Sequence, residues 1–290
     1  MNTIEAAKIQ RAAVLGAGTM GHGIAHVLAT SGITTKLYDL MPGAVERGLA
    51  SVRANLDKGV QKGKVTQADR DAAVARLSGT IQLDEAIEGV DVVIEAVPEK
   101  LELKQQIFSN IGEKLGSHVL LATNTSSLPI ARIASVTPHA ERVVGMHFFN
   151  PVHIMKLIEV VTTDRSSASA VRTAVELGVR MGKDPIVVKD APGFASSRLG
   201  ILLGLEAIRM LESGIASAQD IDKAMTLGYG HPMGPLQLTD LVGLDVRLSI
   251  AQYLEKEFGS RFAPPALLIE KVARGELGKK SGKGFYEWKE

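Results

Sequence analysis

His147 and Glu159 lie twelve residues apart, in two β-rich runs that flank a turn within Gly145-Met-His-Phe-Phe-Asn-Pro-Val-His-Ile-Met-Lys-Leu-Ile-Glu-Val-Val161. Pairing of the two runs across the turn sets the side chains next to each other. An imidazole held by a carboxylate has a fixed tautomer and a raised basicity, which a general base acting on an alcohol near neutral pH requires. Glu159 strengthens the reading, because a lone charge inside Lys156-Leu-Ile-Glu-Val-Val161 is costly to bury unless it is paired. The polar turn Thr123-Asn-Thr-Ser-Ser127 follows an apolar strand, at the sheet edge where ligands bind. Its hydroxyls, Ser126 among them, suit donation to a substrate oxygen; the alternative is a cap for a helix starting near Pro129. His22, His26, His153 and His231 have no carboxylate at comparable spacing and read as structural residues. No cluster of His, Asp and Glu has metal-ligand spacing, so no metal is expected.

A second group of residues supplies the partner for such a base. Gly16, Ala17, Gly18, Thr19, Met20 and Gly21 form a GxGxxG segment after a predicted strand and at the start of a predicted helix. The first glycine allows the tight turn, the second lets backbone approach a pyrophosphate, and the third lets helix and strand pack closely. Packing alone is the alternative use of such glycines. Asp39 adds weight: about 20 residues on from the fingerprint, a carboxylate accepts from the adenosine ribose and repels a 2′-phosphate. Neither Leu40 nor Met41 is an arginine, so NAD is expected over NADP. Asp39 also suits a helix cap before Met41-Pro42.

These residues need a scaffold. From Arg11 to about Val188, β-rich runs alternate with helical stretches, the pattern of an α/β doubly wound sheet. The expected strands are Ala12 to Leu15, Thr34 to Tyr38, Val90 to Ala96, Val119 to Thr123, Val143 to Phe148, Lys156 to Val161 and Pro185 to Val188. Helices are expected through Ile24 to Thr30, Ala44 to about Lys64, Leu101 to Leu115 and Ala168 to Met181. Beyond Lys189-Asp-Ala-Pro-Gly193 the β-rich runs stop, which predicts domains of residues 1–188 and 189–290, the second helical. Leu199 to Leu211 is too short for a bilayer and reads as a buried helix. The 290 residues are 45% hydrophobic, ample for two cores, and carry 33 Lys and Arg against 32 Asp and Glu. That balance gives no reason to expect nucleic acid or a membrane as partner. With no cysteine and no apolar run in Met1 to Gln10, a cytoplasmic protein without a signal peptide is expected.

The motifs Gly16-Ala-Gly-Thr-Met-Gly-His-Gly-Ile-Ala25, Asn124-Thr-Ser-Ser-Leu128, His147-Phe-Phe-Asn-Pro-Val152, Met155-Lys-Leu-Ile-Glu-Val160, Pro192-Gly-Phe194, Gly230-His-Pro-Met-Gly-Pro235 and Gly282-Lys-Gly-Phe-Tyr286 together resemble the L-3-hydroxyacyl-CoA dehydrogenase family, including its bacterial 3-hydroxybutyryl-CoA members. The matches run in order from about residue 10 to 288. The resemblance implies a Rossmann-type NAD-binding domain, an all-helical C-terminal domain that forms a homodimer, and a 3-hydroxyacyl-CoA or 3-ketoacyl-CoA substrate of fatty acid or butanoate metabolism. It implies His147 as base, Glu159 as its orienting partner and Ser126 as a contact for substrate and cofactor. It further assigns Glu99, Lys104 and Asn150 to the ribose and nicotinamide end of the cofactor, Lys280 to the nicotinamide end, and Ser51 and Lys58 to CoA. Without it, Glu99 and Lys104 read as a solvated helix face, and Arg53, Lys58, Lys62 and Lys64 as a soluble one. One departure stands out. Where the family commonly places an asparagine after Pro-Gly-Phe and two further residues, this chain has Ser197, which offers one hydroxyl in place of an amide. Rival readings are a dehydrogenase of a CoA-free hydroxy acid, such as a sugar acid or carnitine, and a non-catalytic dinucleotide-binding protein.

Overall fold

The computed structural model describes residues 3–288, and the chain divides between Ala191 and Pro192 into two compact units. The first unit runs β1 (Arg11–Leu15), α1 (Thr19–Thr30), β2 (Thr34–Tyr38), α2 (Ala44–Gln61), α3 (Gln67–Ala75), β3 (Leu77–Thr80), α4 (Leu83–Ile87), β4 (Val92–Glu95), α5 (Leu101–Lys114), β5 (Leu120–Thr123), α6 (Ile130–Ala134), β6 (Val143–Phe148), β7 (Leu157–Thr162), α7 (Ala168–Arg180) and β8 (Asp184–Lys189). Its eight strands form one sheet in the order β3-β2-β1-β4-β5-β6-β7-β8. The first six in that order are parallel, as a dinucleotide-binding sheet requires. β7 then runs antiparallel to β6, and β8 parallel to β7.

Continuous apolar runs explain the centre of this sheet. β4, β5 and β6 are buried at every position, because helices cover both faces of a parallel sheet. The covering helices show the complementary pattern. α2 buries Val45, Gly48, Val52 and Leu56 along one stripe and leaves Arg53 and Lys58 in solvent. Thr66 and Ser167 accept from the backbone N–H of Asp69 and Ala170, capping α3 and α7. β3 is absent from the expected strands: it is a short edge strand with an exposed middle, and Gly79 breaks its apolar pattern. A Cβ on Gly79 would lie 2.1 Å from Val45 Cγ1, so α2 packs directly on that backbone.

The boundary expected after Val188 falls inside β8. Lys189 still pairs with Thr162, and the N–H of Asp190 donates to the Thr162 carbonyl, so the chain leaves the sheet a few residues later than its composition changes.

The second unit is helical, with α8 (Ser196–Glu212), α9 (Ala218–Gly228), α10 (Pro235–Val242), α11 (Leu244–Phe258) and α12 (Ala266–Ala273). Ile201, Leu205, Ile208, Leu236, Leu254 and Phe262 are among the side chains of its core. The Asp222 carboxylate caps α10 by accepting from the N–H groups of Leu236 and Gln237, and it also accepts from the Tyr286 hydroxyl. Asp240 accepts from the backbone of Phe285 and Tyr286 and from Trp288 Nε1, which fastens the C-terminal segment to the helices. α8 corrects the expectation of a buried helix. Within its unit it buries Ile201, Leu205 and Ile208 but leaves Leu199 71% and Leu202 40% exposed. No helix among the described residues is long and apolar enough to cross a membrane.

Candidate active site

The hairpin of β6 and β7 sets His147 directly opposite Glu159. Antiparallel pairing puts opposed residues on the same face of the sheet, so the two side chains meet: Nδ1 of His147 and Oε2 of Glu159 are 2.7 Å apart. Glu159 is fully buried and the histidine nearly so. A carboxylate accepts only, so Nδ1 carries the hydrogen and Nε2 is the basic nitrogen. The Phe149 ring leans on the imidazole at 4.6 Å between centroids and fixes its plane from one side. His147 is the last residue but one of β6, at the carboxyl edge of the parallel strands.

The turn after β5 reaches the same edge. Asn124 Oδ1 accepts from the N–H of Phe148, which ties the Thr123-to-Ser127 turn to the residue after the histidine. Thr125 Oγ1 accepts from the N–H groups of Ser127 and Leu128, whereas α6 begins behind Pro129 with no side-chain cap. The turn therefore braces itself and is not a helix cap. Ser126 gives its N–H (2.9 Å) and its hydroxyl (3.3 Å) to Glu99 Oε1, which also accepts from Thr125 Oγ1 at 2.5 Å.

Lys104 departs most from the sequence reading. It lies inside the molecule, fully buried, with Nζ 2.7 Å from the equally buried Glu95 and 3.4 Å from Glu99. Thr123 Oγ1 and the N–H of Val97 also donate to Glu95. Burial pushes the Glu95 carboxyl up, against the opposing pull of Lys104. Through this network the strand ends of β4 and β5, the start of α5 and the serine turn share one set of hydrogen bonds. Sequence reasoning passed over Glu95, although it carries the signal that exposed Glu159: one carboxylate at the end of an apolar strand.

The glycine turn between β1 and α1 has the geometry of a dinucleotide cradle. Gly16 has φ of +104°, and a Cβ there would lie 2.6 Å from the Ala96 carbonyl oxygen. On Gly21 a Cβ would fall 1.7 Å from the Gly16 oxygen, while Gly18 faces open space. Gly18 caps α1 without a side-chain bond, so the first N–H groups of the helix are directed at whatever fills that space. Asp39 follows β2 and grips the turn itself, accepting from Ala17 N–H at 2.8 Å and Met41 N–H at 2.9 Å. It does not cap α2, which starts after Gly43. Ala17, Gly18, Thr19, Asp39 and Ser51 line a hollow of about 300 Å³.

That turn, its acidic partner and the His–Glu pair agree with what the chain is similar to. The 3-hydroxyacyl-CoA dehydrogenase NAD binding domain matches residues 11–191, and the C-terminal domain of the same family matches residues 193–288. The chain belongs to the 3-hydroxyacyl-CoA dehydrogenase family. As a member it is an NAD-dependent dehydrogenase. A probable 3-hydroxybutyryl-CoA dehydrogenase of Bacillus subtilis is 42% identical over 98% of this chain and 99% of its own. The 3-hydroxybutyryl-CoA dehydrogenase of Mycobacterium tuberculosis is 41% identical over 97% of this chain and 99% of its own. The crystal structure of (S)-3-hydroxybutyryl-CoA dehydrogenase from Ralstonia eutropha superposes with a TM-score of 0.93 at 40% identity, covering 98% of this chain and all of that one.

Other residues singled out in the sequence line two hollows of the first unit. Lys58 lines a separate cavity of about 670 Å³ with Lys62, Lys64 and Asn150, whereas Ser51 belongs to the smaller hollow beside Asp39. The two hollows share Thr19 and His22. Arg53 lines neither. In the second unit Ser197 is the second residue of α8, and Lys280 forms an ion pair with Asp245 at 2.6 Å. His22, His26 and His153 also line the larger cavity, a grouping that their sequence positions do not disclose.

Proposed function

We propose that this chain catalyses the reversible oxidation of an L-3-hydroxyacyl-CoA, of the 3-hydroxybutyryl type, to the 3-ketoacyl-CoA. The 2.7 Å contact between His147 Nδ1 and Glu159 carries this reading, because it leaves Nε2 to take the proton of the C3 hydroxyl. The space over Gly18, the first turn of α1 and the Asp39 carboxylate fit a dinucleotide, with Gly16, Ala17, Thr19, Met20 and Gly21 shaping the cradle. NAD bound there supplies the acceptor for the hydride that leaves C3. As the proton reaches Nε2 the imidazole becomes a cation, and the buried Glu159 carboxylate stabilises it in place. The reverse direction returns the same proton from Nε2 to the keto oxygen.

The remaining assignments follow the family. Ser126, held by Glu99, contacts the substrate near the reacting carbon and the cofactor; Glu99 and Asn150 serve the ribose and nicotinamide end, Lys104 helping through its ion pair with Glu99; Lys280 serves the nicotinamide end. Ser51 and Lys58 contact CoA, and Ser197 takes the place of the family's asparagine beside the substrate. The helical unit pairs two copies into a homodimer. Leu199 and Leu202 on α8 and Leu238, Leu241 and Val242 on α10 give that pairing an apolar face. A cytoplasmic location fits a cysteine-free chain with this chemistry.

Loss of NADH absorbance with acetoacetyl-CoA is the direct test: turnover is expected, and none overturns the reading. Lys58→Ala distinguishes a CoA thioester from a CoA-free hydroxy acid. It is expected to raise KM for acetoacetyl-CoA about tenfold, the size of one lost charge-assisted hydrogen bond.

A further inference from the structure

The larger cavity is lined by three lysines and three histidines, and no carboxylate stands among its described lining residues. Lys58, Lys62 and Lys64 come from the end of α2 and the loop after it, His22 and His26 from α1, and His153 from the turn before β7. Gly23 makes this arrangement possible. A Cβ there would lie 2.8 Å from Val152 Cγ2, so only glycine lets the turn press against α1. His153 then stacks on His26, with centroids 5.1 Å apart and planes 6° from parallel. Lys183 secures the turn from behind by donating to the carbonyls of Val152 and Met155.

The cluster is poised for a charge it does not itself contain. His26 is 6% exposed, and its Nδ1 has no hydrogen-bond partner among the described residues. His22 donates through Nδ1 to the Gly18 carbonyl at 2.9 Å, which makes Nε2 the acceptor nitrogen of the neutral ring. Burial, then His153, His22 and Lys183, hold the His26 imidazole down at about 4. Burial, Lys183 and His22 likewise hold His153 below the usual histidine range. The imidazoles of His26 and His153 are therefore neutral near pH 7 while lysines and His22 face them. A polyanion entering the cavity reverses the local potential and favours their charged forms.

We propose that His22, His26 and His153 are binding residues for the phosphates of the acyl-CoA substrate, and that the cluster takes up a proton as those phosphates arrive. This rests on the CoA thioester reading above and assigns the larger cavity to the phosphorylated end of that substrate. A volume of about 670 Å³ is ample for a nucleotide. The consequence is proton-linked affinity, tightening as pH falls, in a binding step separate from the proton transfer at His147.

The test compares KM for acetoacetyl-CoA, for acetoacetyl-pantetheine, which lacks the phosphates, and for NADH, across pH in the unaltered protein, His26→Gln and His153→Gln. Uptake of a fraction of one proton predicts that KM for acetoacetyl-CoA falls about three- to tenfold between about pH 8 and about pH 5.5. Both variants flatten that slope, and neither alters the slope for NADH. His153 is exposed, so its variant serves even where the His26 variant fails to fold. Parallel slopes in the unaltered protein and the variants overturn the proposal, and so does an equal slope for acetoacetyl-pantetheine. No turnover of acetoacetyl-CoA by the unaltered protein counts instead against the dehydrogenase reading. Calorimetric proton uptake on titration with CoA alone then decides the cluster: uptake lost in the variants supports it, and unchanged uptake overturns it.

Discussion

Lys104 and Glu95 form a buried ion pair. Replacing the lysine with methionine leaves Glu95 without its cation, and a buried pair broken on one side costs about 3–5 kcal/mol. The cost depends on pH. A carboxyl raised above its unfolded value keeps its contribution below the unfolded value and loses it as pH rises through the folded one. Burial raises Glu95, so Lys104→Met is expected to be more destabilised at pH 8 than at pH 5, with the difference removed in the Glu95→Gln, Lys104→Met double variant. Denaturant unfolding at the two pH values measures it. His26 has the opposite sign of charge and of slope. Held at about 4 when folded against 6.5 unfolded, it binds fewer protons in the native state, so stability falls as pH drops from 6.5 toward 4. Between pH 7 and pH 5 the loss is roughly 2 kcal/mol, and His26→Gln abolishes that part of the acid sensitivity. Equal unfolding midpoints at pH 7 and pH 5 in the unaltered protein would count against it. At this scale the sequence disclosed what was local. Glu159 stood out as a charge within an apolar strand, whereas the burial of Lys104 depends on a partner at the end of another strand.

Elements position these residues through close backbone contacts. Gly23→Ala places a methyl 2.9 Å from Val152 Cβ, an atom that cannot swing aside. Overpacking of this kind costs about 1–3 kcal/mol, and the turn carrying His153 is expected to move off α1, raising KM for acetoacetyl-CoA. Val152→Ala in the same chain restores much of both, a coupling that a double-mutant cycle reads directly. Continuous apolar runs made most strands legible: Thr34 to Tyr38 and Val143 to Phe148 have the bounds that their composition implies. β3 escaped because an exposed edge strand interrupted by glycine has no such run. The His22, His26 and His153 grouping escaped because it depends on a turn packing against Gly23, and nothing in residue spacing signals that approach.

For the whole molecule, the structure has two units: a sheet that carries the His147–Glu159 pair and the glycine turn, and a helical bundle latched by Asp222 and Asp240. The apolar sides of α8 and α10 became visible only once helix packing showed which leucines the bundle leaves outside. The proposed catalysis turns on one nitrogen, Nε2 of His147. Its most direct test is NADH-linked turnover of acetoacetyl-CoA by His147→Gln at saturating substrate, with NADH affinity measured by fluorescence titration on the same sample. Loss of a general base predicts a fall in kcat of about 10²- to 10⁴-fold with NADH affinity nearly unchanged. Turnover close to that of the unaltered enzyme would contradict the account.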